Sequence, residues 1–205
     1  MNVPIKKKTW SLIALSCAAT AFVAAPTAAQ AACPPVPTAP YFSAFGDAND
    51  YSQVPGGGFE PGTPAWTVSS AATLLNENEP FLAASGGTKS LRLPAGSTAT
   101  SPPFCVSDEH PTLRLFGRMP TGTVGRLRVD LVYTDNGQAA TTSSGAIVNV
   151  AFKFRNWAPS DPLPLATNLP ASFINRGGDS VQLQITPESG TWQIDDVFYD
   201  PRASR

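Results

Sequence analysis

Asp195 and Asp196 stand side by side in the otherwise apolar and aromatic terminal stretch WQIDDVFYDP. Buried charge without a partner is costly, so this pair needs one. As neighbours on a strand their side chains diverge. That makes them a poor acid/base couple for glycoside hydrolysis, where two carboxylates must flank one bond. Glu77, Glu79, Asp108 and Glu109 add further acids, and nothing singles out a pair among them. His110, inside DEHPT, is the only histidine and reads as a surface turn residue. A single histidine excludes a multi-histidine zinc site, and Cys-x-x-Cys spacing is absent. A Ser-His-Asp triad would have to use His110, and no Gly-x-Ser-x-Gly elbow accompanies it. The inventory points away from an enzyme, and a secreted hydrolase is the least favoured reading.

Aromatic side chains are the other feature that could meet a ligand, because sugar rings stack on aromatic faces through their C–H groups. Trp157 ends a strand-like stretch in FRNWAPSDP, and Tyr133 ends one before Asp135-Asn136-Gly137. These two are the candidates for a glycan face, with Arg155 and Gln184 as polar neighbours on outward strand positions. Edge packing is an equally good reading for both rings. Trp66 and Trp192 lie in strand-like motifs and read as core.

The elements that must position these residues are strands. Leu91 and Leu93 flank Arg92, and Leu113 and Leu115 flank Arg114. Leu127, Val129 and Leu131 alternate with Arg128 and Asp130. Val148, Val150, Phe152 and Phe154 form another period-two series, and so do Val181, Leu183 and Ile185 with Gln182 and Gln184 between them. Each series predicts a strand with one face on a core and one face polar. Gly, Pro, Asn, Asp and Ser punctuate between them, most clearly at Asp135-Asn136-Gly137 and Arg176-Gly177-Gly178-Asp179. At the chain's end a regular strand would send Trp192 and Ile194 to one face and Val197 and Tyr199 to the other. A bulge at Asp195-Asp196 would bring Ile194 and Val197 together. No long segment has the 3.6-residue period of an amphipathic helix. The expected fold is all-β, an antiparallel two-sheet β-sandwich of jelly-roll type or a barrel.

Lys6, Lys7 and Lys8, an apolar run from Leu12 to Val23 and the small-x-small Ala29-Gln30-Ala31 come in the order of a secretory signal peptide. The apolar run is shorter than the ~20 residues of a bilayer span. The expectation is an exported, extracellular protein beginning near Ala32, with no transmembrane segment. Lipoprotein processing at Cys17 or Cys33 is an alternative, though neither sits in a good lipobox. Removing the three lysines leaves 11 of 14 basic residues against 15 acidic ones, a net charge of -4. With no basic cluster, nucleic acid is not an expected partner. Only 14% of residues are charged, and 21 prolines and 16 glycines suit short strands and many turns. Cys33 and Cys105 remain after processing and are expected to form one disulfide in an oxidising compartment, two buried thiols being the alternative. The chain divides into a signal peptide (1–31), a proline-rich leader and first strand (32–55), one sandwich (56–201) and a short tail (202–205). A monomer is expected.

GGGFEPGTPAW from Gly56 to Trp66, SLRLPAGSTATSPPF from Ser90 to Phe104 and WQIDDVFYDP from Trp192 to Pro201 together resemble the galactose-binding-like jelly rolls. The resemblance is nearest to carbohydrate-binding modules of families four and nine, and it covers about Gly56 to Pro201. The Cys-Pro-Pro start, Phe45-Gly46-Asp47 and Asn78-Glu79-Pro80-Phe81 also resemble a group of secreted bacterial proteins, which implies no function. The module resemblance implies a non-catalytic domain whose partner is a glycan or an envelope polymer. It also implies a structural calcium where the first strand meets the last, with Glu60 and Asp195 matching the pattern by position. Calcium wants six to eight oxygens, and glycine-rich turns present carbonyls freely. Solvated acids or salt bridges are the plainer reading of the same residues. A stand-alone extracellular structural or protein-interaction domain is the alternative function.

Overall fold

The computed structural model describes residues 33–81, 83–84, 86–106, 112–135, 138–149, 153–164 and 179–200. The predicted signal peptide, His110, Asp108, Glu109, the turn residues Asn136-Gly137 and Arg176 to Gly178, Val150, Phe152 and the tail lie outside these. One 3-10 turn, Ser43–Phe45, precedes the strands. The strands are β1 (Ser52–Gln53), β2 (Thr67–Val68), β3 (Thr73–Leu75), β4 (Ser90–Leu93), β5 (Ala99–Thr100) and β6 (Phe104–Val106). They continue with β7 (Thr112–Asp135), β8 (Gln138–Asn149), β9 (Ala158–Pro159), β10 (Leu163–Pro164) and β11 (Asp179–Tyr199). All pairing is antiparallel. Among the described residues no helix is long and apolar enough to cross a membrane.

The architecture is an all-β antiparallel sandwich built on two very long strands. β7 and β11 pair along almost their whole length, from Val181↔Tyr133 to Tyr199↔Leu113. Register shifts cluster between Pro187 and Gln193, where Pro187 and Gly190 interrupt β11. On one side of these shifts β11 is flanked by β5 and β6, and β7 by β8. On the other side β11 is flanked by β4 and β1, and β7 by β9 and β10. One apolar cluster draws on both halves. Leu127, Val129, Leu131, Val181, Leu183 and Ile185 come from the first, and Leu91, Leu93, Leu113, Leu115, Trp192 and Ile194 from the second. Each alternating series thus turns its apolar side to a shared core, as its period requires.

The expected bulge in the last strand is present. The register slips between Asp195 and Phe198, and Asp196 adopts a left-handed φ of 45°. Aspartate tolerates this region better than most residues. The slip re-phases the strand, so Trp192, Ile194, Val197 and Tyr199 all join the main core and Phe198 turns the opposite way. Gly57 lets the chain pass close to this bulge. A Cβ there would lie 2.7 Å from the Val197 carbonyl oxygen and 2.9 Å from that of Val54.

One position departs from the simple pattern. Arg114, between Leu113 and Leu115 and on the polar face of its strand, is buried. The leader covers that face. Phe42 and Tyr51 pack on Phe116 and Phe198 in a second apolar cluster. The Arg114 guanidinium lies 4.1 Å from the centre of the Phe42 ring, and it is paired to Asp47 at 2.7 Å and to the Ser160 carbonyl at 2.9 Å. The pair and the extra hydrogen bond satisfy a charge that burial would otherwise penalise. Cys33 is disulfide-bonded to Cys105 of β6, and this ties down the start of the leader.

Candidate functional site

At the acid end, Asp195, Asp196 and Glu79 are all buried. Their partners are mostly backbone amides. Asp195 accepts from Glu79 N at 3.1 Å and Asp196 N at 2.8 Å, and Asp196 accepts from Ala84 N at 3.0 Å and the Gln53 amide at 2.8 Å. Glu79 accepts from Ala83 N at 2.7 Å and from Phe81 N. The loop after β3 is thereby latched to the bulge of β11. Burial, with the adjacent Asp196 charge, pushes the Asp195 carboxyl up to about 8 against the amide bonds that favour ionisation. Burial, with the negative charge of Glu79, takes Asp196 to about 7.

Glu60 is engaged by the Thr88–Lys89 segment. Its carboxylate accepts from the Lys89 amide at 2.7 Å, the Thr88 hydroxyl at 3.0 Å and the Thr88 amide. Burial works to raise its pKa, but these donors and the Lys89 charge outweigh it and hold the carboxyl below its ordinary value. The oxygen chemistry here suits a hard cation. Among the described residues, no three or more His, Cys, Asp and Glu side chains form a group that could hold a metal ion, so a cation here would lean on backbone carbonyls.

The residues expected to form a glycan face are not gathered into one. Tyr133 is buried in the main core, opposite Val181. This corrects its assignment, and the reason is parity: Leu127, Val129, Leu131 and Tyr133 are two apart, so they share the inward face. Trp157 packs at the edge of the second cluster, and the Arg118 guanidinium lies over its ring at 5.2 Å. Arg155 is exposed on the bend before Trp157. Gln184 does point away from the core, but on the other half of the sandwich.

Around Gln184 the register assembles something the sequence reading did not single out. Gln184 lies opposite Asp130 on β7 and Thr100 on β5, and Thr100 lies opposite Thr67 on β2. Asp130 in turn pairs with Ser143 on β8. Directly opposed residues share a face, so Thr67, Thr100, Gln184 and Asp130 form one polar row across the strands. At the usual strand spacing the full width, from β2 to β8, is roughly 19 Å. Gln182 and Thr186 lie beside Gln184 on the same face, and Arg128 pairs with Asp130 at 2.8 Å. The Gln184 amide makes one long contact, 3.5 Å to the Thr100 hydroxyl, so its hydrogen-bonding capacity is largely unused. The alternation of Arg128, Asp130, Gln182 and Gln184 was visible in the sequence. The cross-strand register that lines them up with Thr100 and Thr67 was not.

No family model matches the chain, and no curated protein matches it. Solved structures do. The CBM22-1–GH10 modules of Clostridium thermocellum endo-1,4-β-D-xylanase 10B, complexed with xylohexaose, superpose with a TM-score of 0.50 and 13% identity over 81% of this chain. This chain spans only 28% of that one. The CBM22-1 xylan-binding domain of Paenibacillus barcinonensis Xyn10C gives 0.47 and 12% identity, over 69% of this chain and 88% of that one. CsCBM6-3 of Clostridium stercorarium, in complex with cellobiose, gives 0.44 and 12%, over 66% and 86%. The likeness to the xylanase modules is one of fold and agrees with the sandwich read from the strands. These neighbours are modules of families 22 and 6, whereas the sequence motifs pointed to families four and nine.

Proposed function

We propose that this chain is an exported, non-catalytic carbohydrate-binding domain, and that the polar row through Gln184 is its glycan face. The row carries the reading. Amide, guanidinium and hydroxyl groups stand side by side on an outward sheet face, with the buried Asp130 carboxylate holding Arg128, and these are the groups that pair with adjacent sugar hydroxyls. A polysaccharide would lie across the strands, along the row. The fold likeness to a xylanase module crystallised with xylohexaose makes β-linked xylan the first ligand to try. Electrophoresis through gels containing xylan, or another plant or envelope polysaccharide, tests the proposal. Retarded migration that Gln184→Ala abolishes is the expected result, and unretarded migration on every polymer would end the reading.

A structural calcium at Glu60 and Asp195 is the second part of this proposal, supported by the motif resemblance and by the oxygen chemistry of the acid end. Binding would require Glu60 to release the Thr88 and Lys89 amides. A melting midpoint that rises with calcium and falls with EDTA is expected if the ion binds, and an unchanged midpoint removes it.

A further inference from the structure

A groove of about 340 Å³ opens at the edge of the sandwich, with Val68 of β2 on one side and Leu74 of β3 and Leu91 of β4 on the other. Phe59 and Trp66 line it as well. It lies apart from the polar row. Val68 pairs with Ala99, which faces the core, whereas Thr67 pairs with Thr100 on the polar side. The two sites therefore use opposite faces of β2.

The chemistry of the wall is one-sided. Its polar side chains are Glu60, Thr63, Trp66 and Lys89. The Trp66 indole donates to the Pro55 carbonyl at 3.1 Å, and the Thr63 hydroxyl donates to the Glu60 carbonyl at 2.6 Å. The Glu60 carboxylate holds the Thr88 and Lys89 amides, and the Lys89 ammonium donates to the Asn76 side chain. Each polar side chain on the wall thus has a partner within the protein. A hydroxyl-rich ligand would lose its water there and gain little, at about 1–3 kcal/mol for each group left unpaired. What remains on offer is apolar surface, chiefly the exposed Val68 and Leu74, with the edges of the largely buried Phe59 and Trp66 rings at its floor. Those two rings meet at 61° with centres 5.3 Å apart, an edge arrangement that a third ring can extend. The turn that carries them is closed on itself. Gly56 has a φ of 68°, and a Cβ on it would sit 1.9 Å from the Pro64 carbonyl oxygen. The size falls at the lower end of small-molecule sites.

We infer that this groove is a second binding site, and that it takes an uncharged aromatic ring rather than a sugar. Such a site would let the domain hold an aromatic substituent or a small aromatic compound independently of any glycan on the polar row.

The test is an NMR titration of the isotope-labelled chain, following the Trp66 indole N–H. Methyl benzoate is expected to shift it saturably, with a Kd on the order of 1 mM. Methyl β-glucoside at the same concentrations should leave it in place. Leu74→Glu places a carboxylate at the mouth on a side chain that is 61% exposed, so the fold should survive. It should weaken methyl benzoate about fivefold or more, because ring binding would then desolvate a charge. Val68→Glu serves the same purpose if Leu74→Glu lowers the melting midpoint. The inference is overturned by a non-saturable methyl benzoate shift, by an equal shift with the glucoside, or by unchanged binding in the folded variant.

Discussion

The two halves of the β7–β11 ribbon have the same strands and the same inward core, but opposite fates for their outward faces. Beyond the shifts near Pro187, Phe116 and Phe198 turn outward and are covered by Phe42 and Tyr51 of the leader. Before the shifts, Gln182 and Gln184 turn outward and stay partly exposed, while Asp130 on the same side is buried and paired to Arg128. The leader touches this half through the Cys33–Cys105 disulfide on β6. The difference lies in side-chain type. Two aromatic rings on a sheet face need a cover, and the Arg114–Asp47 pair holds that cover in place, while the disulfide anchors the start of the leader on the other half. A row of amide groups needs no cover, because water or a ligand can satisfy it, and the buried Asp130 carboxylate has Arg128 as its partner. One end of the ribbon is thus sealed by the leader, and the other keeps Gln182 and Gln184 partly open to water.

The largest effect should come from removing the cover. Phe42 is fully buried and touches Tyr51, Phe116 and Phe198. Phe42→Ala should cost about 3–5 kcal/mol, read from denaturant unfolding, and leave polysaccharide retention intact once the chain is folded. If retention were lost in parallel, the two faces would not be independent. Somewhat less should follow from opening the disulfide. Cys33 and Cys105 are 72 residues apart, and replacing both with serine should cost roughly 2–4 kcal/mol. A loss below 1 kcal/mol would mean that the aromatic contacts alone fix the leader.

The fold was largely legible, because period two is a direct consequence of sheet geometry. The series at 91–93, 127–131 and 181–185 turned their apolar sides inward as read, and the bulge at Asp195-Asp196 followed from two carboxylates breaking an apolar alternation. The burial of Arg114 was not legible, because nothing in LRLF says that a distant leader will cover its face. Tyr133 is the opposite case. Its parity with Leu131 points inward, and its place at a strand end points outward; in the fold parity wins. The polar row was illegible, because it depends on which residues of four or five strands come opposite one another, and single-strand patterns do not encode register.

A third effect concerns the acid latch and depends on pH. Asp195 and Asp196 are raised to about 8 and about 7 in the folded chain, above the ordinary carboxylate value near 4. Groups raised in this way contribute stability that is full below about pH 4 and is lost as pH rises through the folded values. In EDTA, the melting midpoint should therefore decline between pH 5 and pH 9 more steeply than in Asp196→Asn. Parallel profiles would show that the amide donors alone hold the loop at 79–84.

The smallest effect on stability should be the largest on binding. Gln184 is partly exposed, opposite Asp130 and Thr100, and its one side-chain contact is long. Gln184→Ala should change stability by no more than about 0.5 kcal/mol, as for an outward residue outside any cap, core or network. On the proposed glycan face it removes both a donor and an acceptor from the middle of the row. Asp130→Asn probes the same row differently. It preserves shape but discharges the partner of Arg128, so it should weaken retention less than Gln184→Ala and make it less sensitive to salt. Retention that falls in both variants, with melting midpoints close to the parent, would assign the uncovered face its role. Retention that falls only when the fold melts would show that the uncovered face is merely solvated, and that the difference between the two ends is one of packing alone.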